Sequence, residues 1–116
     1  MTKLVLFILL SHLFAVGCHT QSRESNQFRV IHLPVGQEPN VVLTADVNDD
    51  HNPDVLVSNG ASANMTVYIG DGKGQFVQAS GSPVGVSQEP NDLTIADLNS
   101  DGKLDVAIAN HGTKIV

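Results

Sequence analysis

Short runs of alternating apolar and polar residues fill the chain from about residue 28 onwards. Alternation with a period of two is typical of strands with one buried face. Runs of this kind predict strands at residues 41–47, 54–58, 65–69, 76–80, 93–97 and 105–109. No stretch after residue 20 shows the periodicity of an amphipathic helix. The pattern therefore predicts an all-β fold.

The strand pattern repeats at an offset of 51 residues. Residues 37–59 (QEPNVVLTADVNDDHNPDVLVSN) and 88–110 (QEPNDLTIADLNSDGKLDVAIAN) align without gaps, and 11 of the 23 aligned positions are identical. A fixed period indicates a repeat architecture, and four strands per unit of about 50 residues are typical of a β-propeller blade. We therefore expect β-propeller blades of four antiparallel strands, with about two blades in this chain.

A further similarity lies out of phase with this repeat. The segment NQFRVIHLPVG, from Asn26, resembles GQFVQASGSPVG, from Gly74. It predicts that residues 28–35 form the last strand of a blade and close a ring by pairing with strands from elsewhere. A ring of about 4–8 blades needs roughly 200–400 residues at this period, whereas 98 residues follow Cys18. The expectation is therefore a fragment of a propeller or a truncated gene product.

Acidic residues concentrate in two nine-residue loops, DVNDDHNPD at 46–54 and DLNSDGKLD at 97–105. Like charges in one loop repel each other unless a cation lies among them. Oxygen-bearing side chains recur at loop positions 1, 3, 5 and 9, and position 7 can supply a backbone carbonyl. Such donors suit calcium, which takes about 6–8 oxygens. The candidate ligands are Asp46, Asn48, Asp50, Asn52 and Asp54 in the first loop and Asp97, Asn99, Asp101, Lys103 and Asp105 in the second.

The two loops resemble the calcium loops of FG-GAP/VCBS repeats, which are blades of integrin-α-like β-propellers. The pattern of that family is Asp-x-Asp/Asn-x-Asp-Gly-x-x-Asp in a β-hairpin, and the resemblance covers residues 28–116. It implies calcium as the cofactor, with side-chain ligands at positions 1, 3, 5 and 9 and the carbonyls of Asn52 and Lys103. His51 departs from the pattern because it stands where the second loop has Gly102. That position is expected to need a positive φ, so we expect the first site to be weaker.

The loops also have a plainer interpretation, because Asp and Asn form Asx turns in many hairpins without any metal. Two loops in the same repeat phase favour the calcium hypothesis over this alternative.

A separate motif, GDGKG at residues 70–74, lacks the Gly-Lys-Ser/Thr ending of a phosphate loop and predicts a hairpin turn.

The first 18 residues, MTKLVLFILLSHLFAVGC, have the composition of an export signal. Their apolar run, residues 4–10, is too short to span a bilayer but suits a signal peptide. The sequence AVGC resembles the lipobox of bacterial lipoproteins, which implies lipidation at Cys18 and a membrane-anchored protein, periplasmic or at the cell surface. The alternative is an ordinary cleaved signal with a coincidental cysteine and a secreted product. Residues 19–27 are polar throughout and predict a flexible linker.

The remaining composition bears on function. The chain has 12 acidic and 6 basic residues, which argues against nucleic acid as a partner. It has no Gly-x-Ser-x-Gly motif, no His-Glu-x-x-His motif and no convincing nucleophile–base pair. We therefore expect a non-enzymatic scaffold for binding or adhesion, with a protein or glycan ligand as the family resemblance implies. The alternative is the non-catalytic propeller portion of a larger secreted enzyme that acts on polysaccharides.

Overall fold

The computed structural model describes residues 29–113 and 115–116, and in this part of the chain the secondary structure consists of β-strands without a helix. The predicted signal peptide (1–18), with Cys18, the linker (19–27) and Phe28 lie outside the described residues. No helix that is long and apolar enough to span a membrane occurs in the described part. The strands are β1 Pro39–Ala45, β2 Asp54–Asn59, β3 Asn64–Gly70, β4 Phe76–Gln78, β5 Val84–Gly85, β6 Pro90–Ala96 and β7 Asp105–Asn110.

The first repeat forms an antiparallel sheet in the order β1-β2-β3-β4. This is the four-stranded blade predicted from the sequence, with β1 and β2 paired across the first acidic loop. The strand expected at 76–80 ends earlier, at Gln78, because the chain turns back with the Ser82 N–H donating to the Ala79 carbonyl at 3.0 Å. The Ser82 hydroxyl then accepts the Val67 N–H at 2.8 Å. Beyond this turn β5, which the sequence did not predict, pairs with the start of β3.

The second repeat reproduces the first hairpin as a two-stranded sheet of β6 and β7. The pair Leu93–Ile108 stands at the same register as Val42–Val57, 51 residues earlier. Each hairpin also has a register shift at its Pro-Asn step, directly after a glutamate with a positive φ. Strand geometry and backbone irregularity therefore both follow the sequence repeat.

Each sheet of the two repeats has two faces, which the register defines because paired residues point to the same side. In the first repeat the "Leu56 face" contains Leu43, Leu56, Ser58, Met65 and Val67, and the opposite "Val57 face" contains Val42, Thr44, Val55, Val57 and Tyr68. In the second repeat the "Ile108 face" contains Leu93, Ile95, Val106 and Ile108, and the opposite "Ala107 face" contains Asp92, Thr94, Ala107 and Ala109.

The hydrophobic core lies between the two repeats. Leu56, with 1% of its surface exposed, forms a buried cluster with Met65 and Val67 on the Leu56 face. Ile95, Val106 and Ile108 of the Ile108 face pack against this cluster. Neither hairpin could bury its apolar face alone, as expected for a repeat architecture.

Residues 29–36, which precede β1, form no strand, and Pro34 lies against Tyr68 of the Val57 face. The Tyr68 hydroxyl donates a hydrogen bond to the Pro34 carbonyl at 2.6 Å, and the Gln37 N–H donates to the Ser62 hydroxyl at 2.7 Å. Gly36 lies so close to the Asn59 side chain that a Cβ there would stand 2.8 Å from it. The role of residues 28–35 as a ring-closing strand stays a prediction.

Candidate functional site

The two acidic loops occupy equivalent places, at the turn of the β1–β2 hairpin and at the turn of the β6–β7 hairpin. The last strand pairs before the turns are Ala45–Asp54 and Ala96–Asp105. The alternating strands end where the acidic windows begin, because Asp and Asn favour turns over strands. Both loops thus extend from the same end of the hairpins that form the core.

The first residue of each loop anchors the turn through both carboxylate oxygens. Asp46 accepts the N–H of Asp50 at 3.1 Å and the N–H of His51 at 2.7 Å. Asp97 accepts the equivalent groups, from Asp101 at 3.1 Å and from Gly102 at 2.9 Å. These contacts pull the middle of each loop back over its start.

The third and fifth loop positions contact each other in the same way in both loops. The Asn48 Oδ1 atom accepts the Asp50 N–H at 3.2 Å, while its Nδ2 atom donates to Asp50 Oδ2 at 2.8 Å. For Asn99 and Asp101 the corresponding distances are 2.9 and 3.2 Å. The side-chain oxygens of positions 1 and 3 therefore meet at the backbone N–H of position 5 in each loop.

The seventh position contributes a backbone N–H. Asn52 and Lys103 each donate it to the carboxylate at position 5, at 2.8 Å in both loops. The hydrogen bonds from the Asn48 side chain and the Asn52 backbone hold the pKa of the Asp50 carboxyl below its ordinary value. Asp50 is therefore a carboxylate, and not a carboxylic acid, near neutral pH.

The ninth position lies at the base of the hairpin, apart from the other three. Asp54 is fully buried, and its oxygens accept the N–H groups of Val47 at 2.8 Å and Gly70 at 2.9 Å. Its counterpart Asp105 is half-buried and accepts the Leu98 N–H at 3.0 Å. Asp54 thus joins the first loop to the end of β3.

The backbone of both loops passes twice through the left-handed region. The φ values are 66° at His51 and 85° at Gly102, which confirms the expectation of a positive φ at this position. A second such position, with φ of 65° at Asp49 and 63° at Ser100, was not predicted. Asp adopts the left-handed region more readily than most residues but also occurs widely outside it. The residue types at this position therefore did not indicate a positive φ.

The loops offer oxygen donors, but few acidic side chains come together in one place. In residues 29–113 and 115–116, no three His, Cys, Asp or Glu side chains are grouped so that they could hold a metal ion. The Asp46 carboxylate and the Asn48 amide oxygen converge on the Asp50 N–H, and the Asn48 amide also contacts the Asp50 carboxylate. Their oxygen atoms are of the kind that calcium prefers. The chemistry of the set fits a hard cation, while the Asn48 amide presents its nitrogen to Asp50.

The GDGKG turn contributes contacts to the first loop that the sequence did not predict. It joins β3 to β4 as a hairpin turn, and the Asp71 carboxylate accepts the N–H groups of Lys73 and Gln75 at 2.8 and 2.9 Å. A Cβ on Gly70 would collide with the Pro53 carbonyl, and one on Gly72 with the Asn52 side chain. The glycines of this turn were the sequence feature that could have indicated these contacts, because glycine is favoured where two backbone segments approach closely.

A cleft of about 630 Å³ separates the two loops. Its lining combines the acidic start of the first loop with the end of the second: Asp46, Val47, Asn48, Asp49, Gly102, Lys103 and Leu104. Lys103 places a cation on one wall, opposite the carboxylates of the other wall.

Comparison with known proteins gave one match. Residues 46–108 match the family model described as FG-GAP-like repeat, which spans both acidic loops and the strands between them. No curated protein and no solved structure matches the chain.

Proposed function

Because the chain belongs to the FG-GAP-like repeat family, we propose that it is a calcium-binding β-propeller repeat segment that serves as a non-catalytic binding scaffold. The observation that supports this proposal is the recurrence of one hydrogen-bond network in both loops. Six contacts recur at an offset of 51 residues, and they hold two carboxylates and one amide together in each loop.

The proposed ligands in the first loop are the side chains of Asp46, Asn48, Asp50 and Asp54 with the carbonyl of Asn52. Those in the second loop are Asp97, Asn99, Asp101 and Asp105 with the carbonyl of Lys103. A bound calcium ion would neutralise the carboxylates and stabilise these exposed loops. The protein's own part is to keep Asp50 ionised and to hold the oxygens of positions 1 and 3 on the backbone N–H of position 5 in each loop.

The proposed role of the repeats is to present a rigid surface to a protein or glycan ligand at the cell surface. This step rests on the family alone, since a fold does not by itself specify a ligand. The part of the chain before residue 28 would place the repeats at a membrane through lipid on Cys18. Cys18→Ser should then abolish metabolic lipid labelling; unchanged labelling would contradict the anchor.

Calcium titration of the full chain tests the central claim. Calcium that binds only the folded state raises stability with the logarithm of its concentration over Kd, by about 2.7 kcal/mol at 100 times Kd. Extracellular calcium modules have Kd values of about 10⁻⁴–10⁻³ M, so melting temperatures should be compared in 10 mM calcium and in chelator. Isothermal titration calorimetry should find two sites, with tighter binding at the Gly102 loop.

Variants separate the two sites. Asp50→Ala and Asp101→Ala should each leave one calcium site, and the double variant should leave none. Asp92→Ala removes an exposed carboxylate outside both loops and is the matched control, which should keep two sites. Equal melting temperatures in calcium and in chelator for the unmutated chain would show that the loops are only Asx turns.

A further inference from the structure

A cavity of about 260 Å³ lies on the first repeat, and no residue of the acidic loops lines it. Residues 34–36 and Pro83 form its apolar walls, and the side chains of Asn64, Thr66 and Gln78 supply its polar groups. Among the described residues that line it, none carries a charge. The cavity therefore differs in chemistry from the two acidic loops.

A buried asparagine sets the direction of the hydrogen bonds beside this cavity. Asn59 is fully buried, and its Nδ2 atom donates to Asn64 Oδ1 at 2.8 Å and to Thr66 Oγ1 at 2.9 Å. Asn64 and Thr66 thus use an acceptor atom on Asn59. Their donor groups, the Asn64 amide N–H and the Thr66 O–H, have no partner among the described residues and remain available to a ligand.

Gln78 adds an acceptor to these two donors. Its Nε2 atom donates to the Ser82 carbonyl at 2.8 Å, whereas its Oε1 atom has no partner in the described part of the chain. Asn64 and Thr66 stand two residues apart on β3, a spacing of about 7 Å along a strand, and Gln78 lies on the adjacent β4. The three groups are therefore spread over an area and do not converge on one atom.

The second repeat lacks this arrangement, so the repeat architecture does not require it. Ile115 stands 51 residues after Asn64, in place of its amide. Asn110, the counterpart of Asn59, donates instead to the Ile115 carbonyl at 3.4 Å. The donors beside the cavity are thus a property of the first repeat.

Charge and size limit the ligand that this cavity can take. A charged group would lose hydration without gaining a counter-charge, so the ligand is neutral. The volume is below the range of about 300–1,000 Å³ that is typical of sites for drug-sized ligands, which leaves room for one small ring. Hydroxyl groups both accept and donate, and so match two donors and one acceptor. The C–H faces of a sugar ring match the apolar walls.

We propose that this cavity binds one neutral hexose residue. Sugar hydroxyls accept hydrogen bonds from the Asn64 N–H and the Thr66 O–H, and a further hydroxyl donates to Gln78 Oε1. The ring packs against residues 34–36 and Pro83. This inference rests on the proposed role as a binding scaffold and names the class of its ligand, but it does not depend on calcium.

NMR titration of the full chain tests the proposal. The probes are the methyl glycosides of glucose, galactose, mannose and N-acetylglucosamine, up to about 50 mM, because one ring with three hydrogen bonds should bind with a Kd of about 1–10 mM. At least one probe should shift the side-chain amide resonances of Asn64 and Gln78. An oligosaccharide of the same sugar is titrated in parallel: binding of both assigns the end of a glycan, and binding of the monosaccharide alone assigns a free sugar.

Variants connect the response to the cavity. Asn64→Asp keeps the oxygen that accepts from Asn59 but loses the amide donor, and Gln78→Met loses the acceptor. Each should weaken sugar binding about tenfold or more. Asn91→Asp is the matched control, because Asn91 is exposed, lies outside the cavity and also accepts from an asparagine, Asn40. It should keep the affinity of the unmutated chain, and circular dichroism checks that every variant is folded.

Three results overturn the proposal: no shift at Asn64 or Gln78 with any of these sugars, an affinity that Asn64→Asp leaves unchanged, or equal shifts with acetamide, which would assign the cavity to amide groups of peptides. All titrations are repeated in calcium and in chelator, and sugar binding should persist in both. Loss of the calcium sites without loss of sugar binding contradicts the calcium proposal alone, and the reverse result contradicts only the hexose site.

Discussion

His51 and Gly102 show how one residue can distinguish two otherwise equivalent loops. Both have a left-handed backbone, with φ of 66° and 85°, and both donate their N–H to the first carboxylate of the loop. A non-glycine residue pays about 1–2 kcal/mol for this conformation. The His51 imidazole regains little, because it is 95% exposed and 3.9 Å from the Asp46 carboxylate.

We expect His51→Gly to raise the free energy of unfolding by up to about 1 kcal/mol, since relief of the left-handed strain exceeds the entropy lost by a glycine. Urea denaturation in chelator measures the effect without any contribution from metal. The reciprocal change, Gly102→Ala, should lower stability by about 1 kcal/mol although a Cβ there meets nothing within 4 Å. Gly85→Ala, in equally open space but without a positive φ, is the control. A His51→Gly chain that is less stable than the original would contradict this account.

At the scale of elements, the two hairpins are alike in register but differ in what surrounds them. Asp54 is buried because β3 lies beside β2, and the Gly70 N–H at the end of β3 donates to it. Asp105 stands at the same place in a two-stranded sheet and is only half-buried. The same residue type therefore has a larger structural role in the first repeat.

Asp54→Ala should consequently destabilise the chain more than Asp105→Ala does. Loss of Asp54 leaves the buried Gly70 N–H and the partly buried Val47 N–H without their charged acceptor, which should lower the free energy of unfolding by about 3 kcal/mol. For Asp105→Ala, which removes one contact near solvent, we expect about 1 kcal/mol. Urea denaturation in chelator measures both values, and hydrogen exchange at the Gly70 amide should accelerate only in the Asp54 variant. Equal losses in the two variants would be inconsistent with the observed difference in burial.

At the scale of the whole molecule, stability depends on the contact between the repeats. The strands form two separate sheets, and the buried cluster of Leu56, Met65 and Val67 is completed by side chains from the other sheet. Asn40 adds the polar part of this contact through its bond to the Pro90 carbonyl. The second hairpin, with two strands, depends on the first for burial, since isolated hairpins are at best marginally stable.

Asn40→Ala should therefore loosen the second hairpin selectively. Asn40 Nδ2 donates to the Pro90 carbonyl at 2.9 Å and, in an exposed contact, to Asn91 Oδ1 at 3.3 Å. The expected loss is about 1 kcal/mol, mainly for the partly buried bond to Pro90. Native-state hydrogen exchange should show faster exchange for the amides of β6 and β7, while those of β2 and β3 stay protected. Gln37→Ala is the control, because Gln37 belongs to the same motif but contacts Ser62 through its backbone. Uniform acceleration across both sheets would show that Asn40 does not act at the contact between repeats.

The sequence by itself determined the all-β class, the 51-residue repeat, the strands on either side of each acidic loop and the positive φ at His51 and Gly102. These features are local, because alternation of apolar residues and the turn preferences of Asp, Asn and Gly act over a few residues. The bonds that bring the oxygens of loop positions 1 and 3 to the N–H of position 5 are local for the same reason, and the role of these residues as ligands stays a prediction. Calcium and the lipid anchor stay predictions.

Only the tertiary structure decided which of the repeated residues are buried. Asp54 differs from Asp105, and Pro90 differs from Pro39, because of neighbours that are distant in sequence. After β4 the chain turns at the bond between the Ser82 N–H and the Ala79 carbonyl, and the Ser82 hydroxyl then fixes this turn on β3 by accepting the Val67 N–H, a contact across 15 residues. Burial and long-range hydrogen bonds depend on how the sheets pack, and the alternation that the two units share does not specify which face of each unit lies against the other.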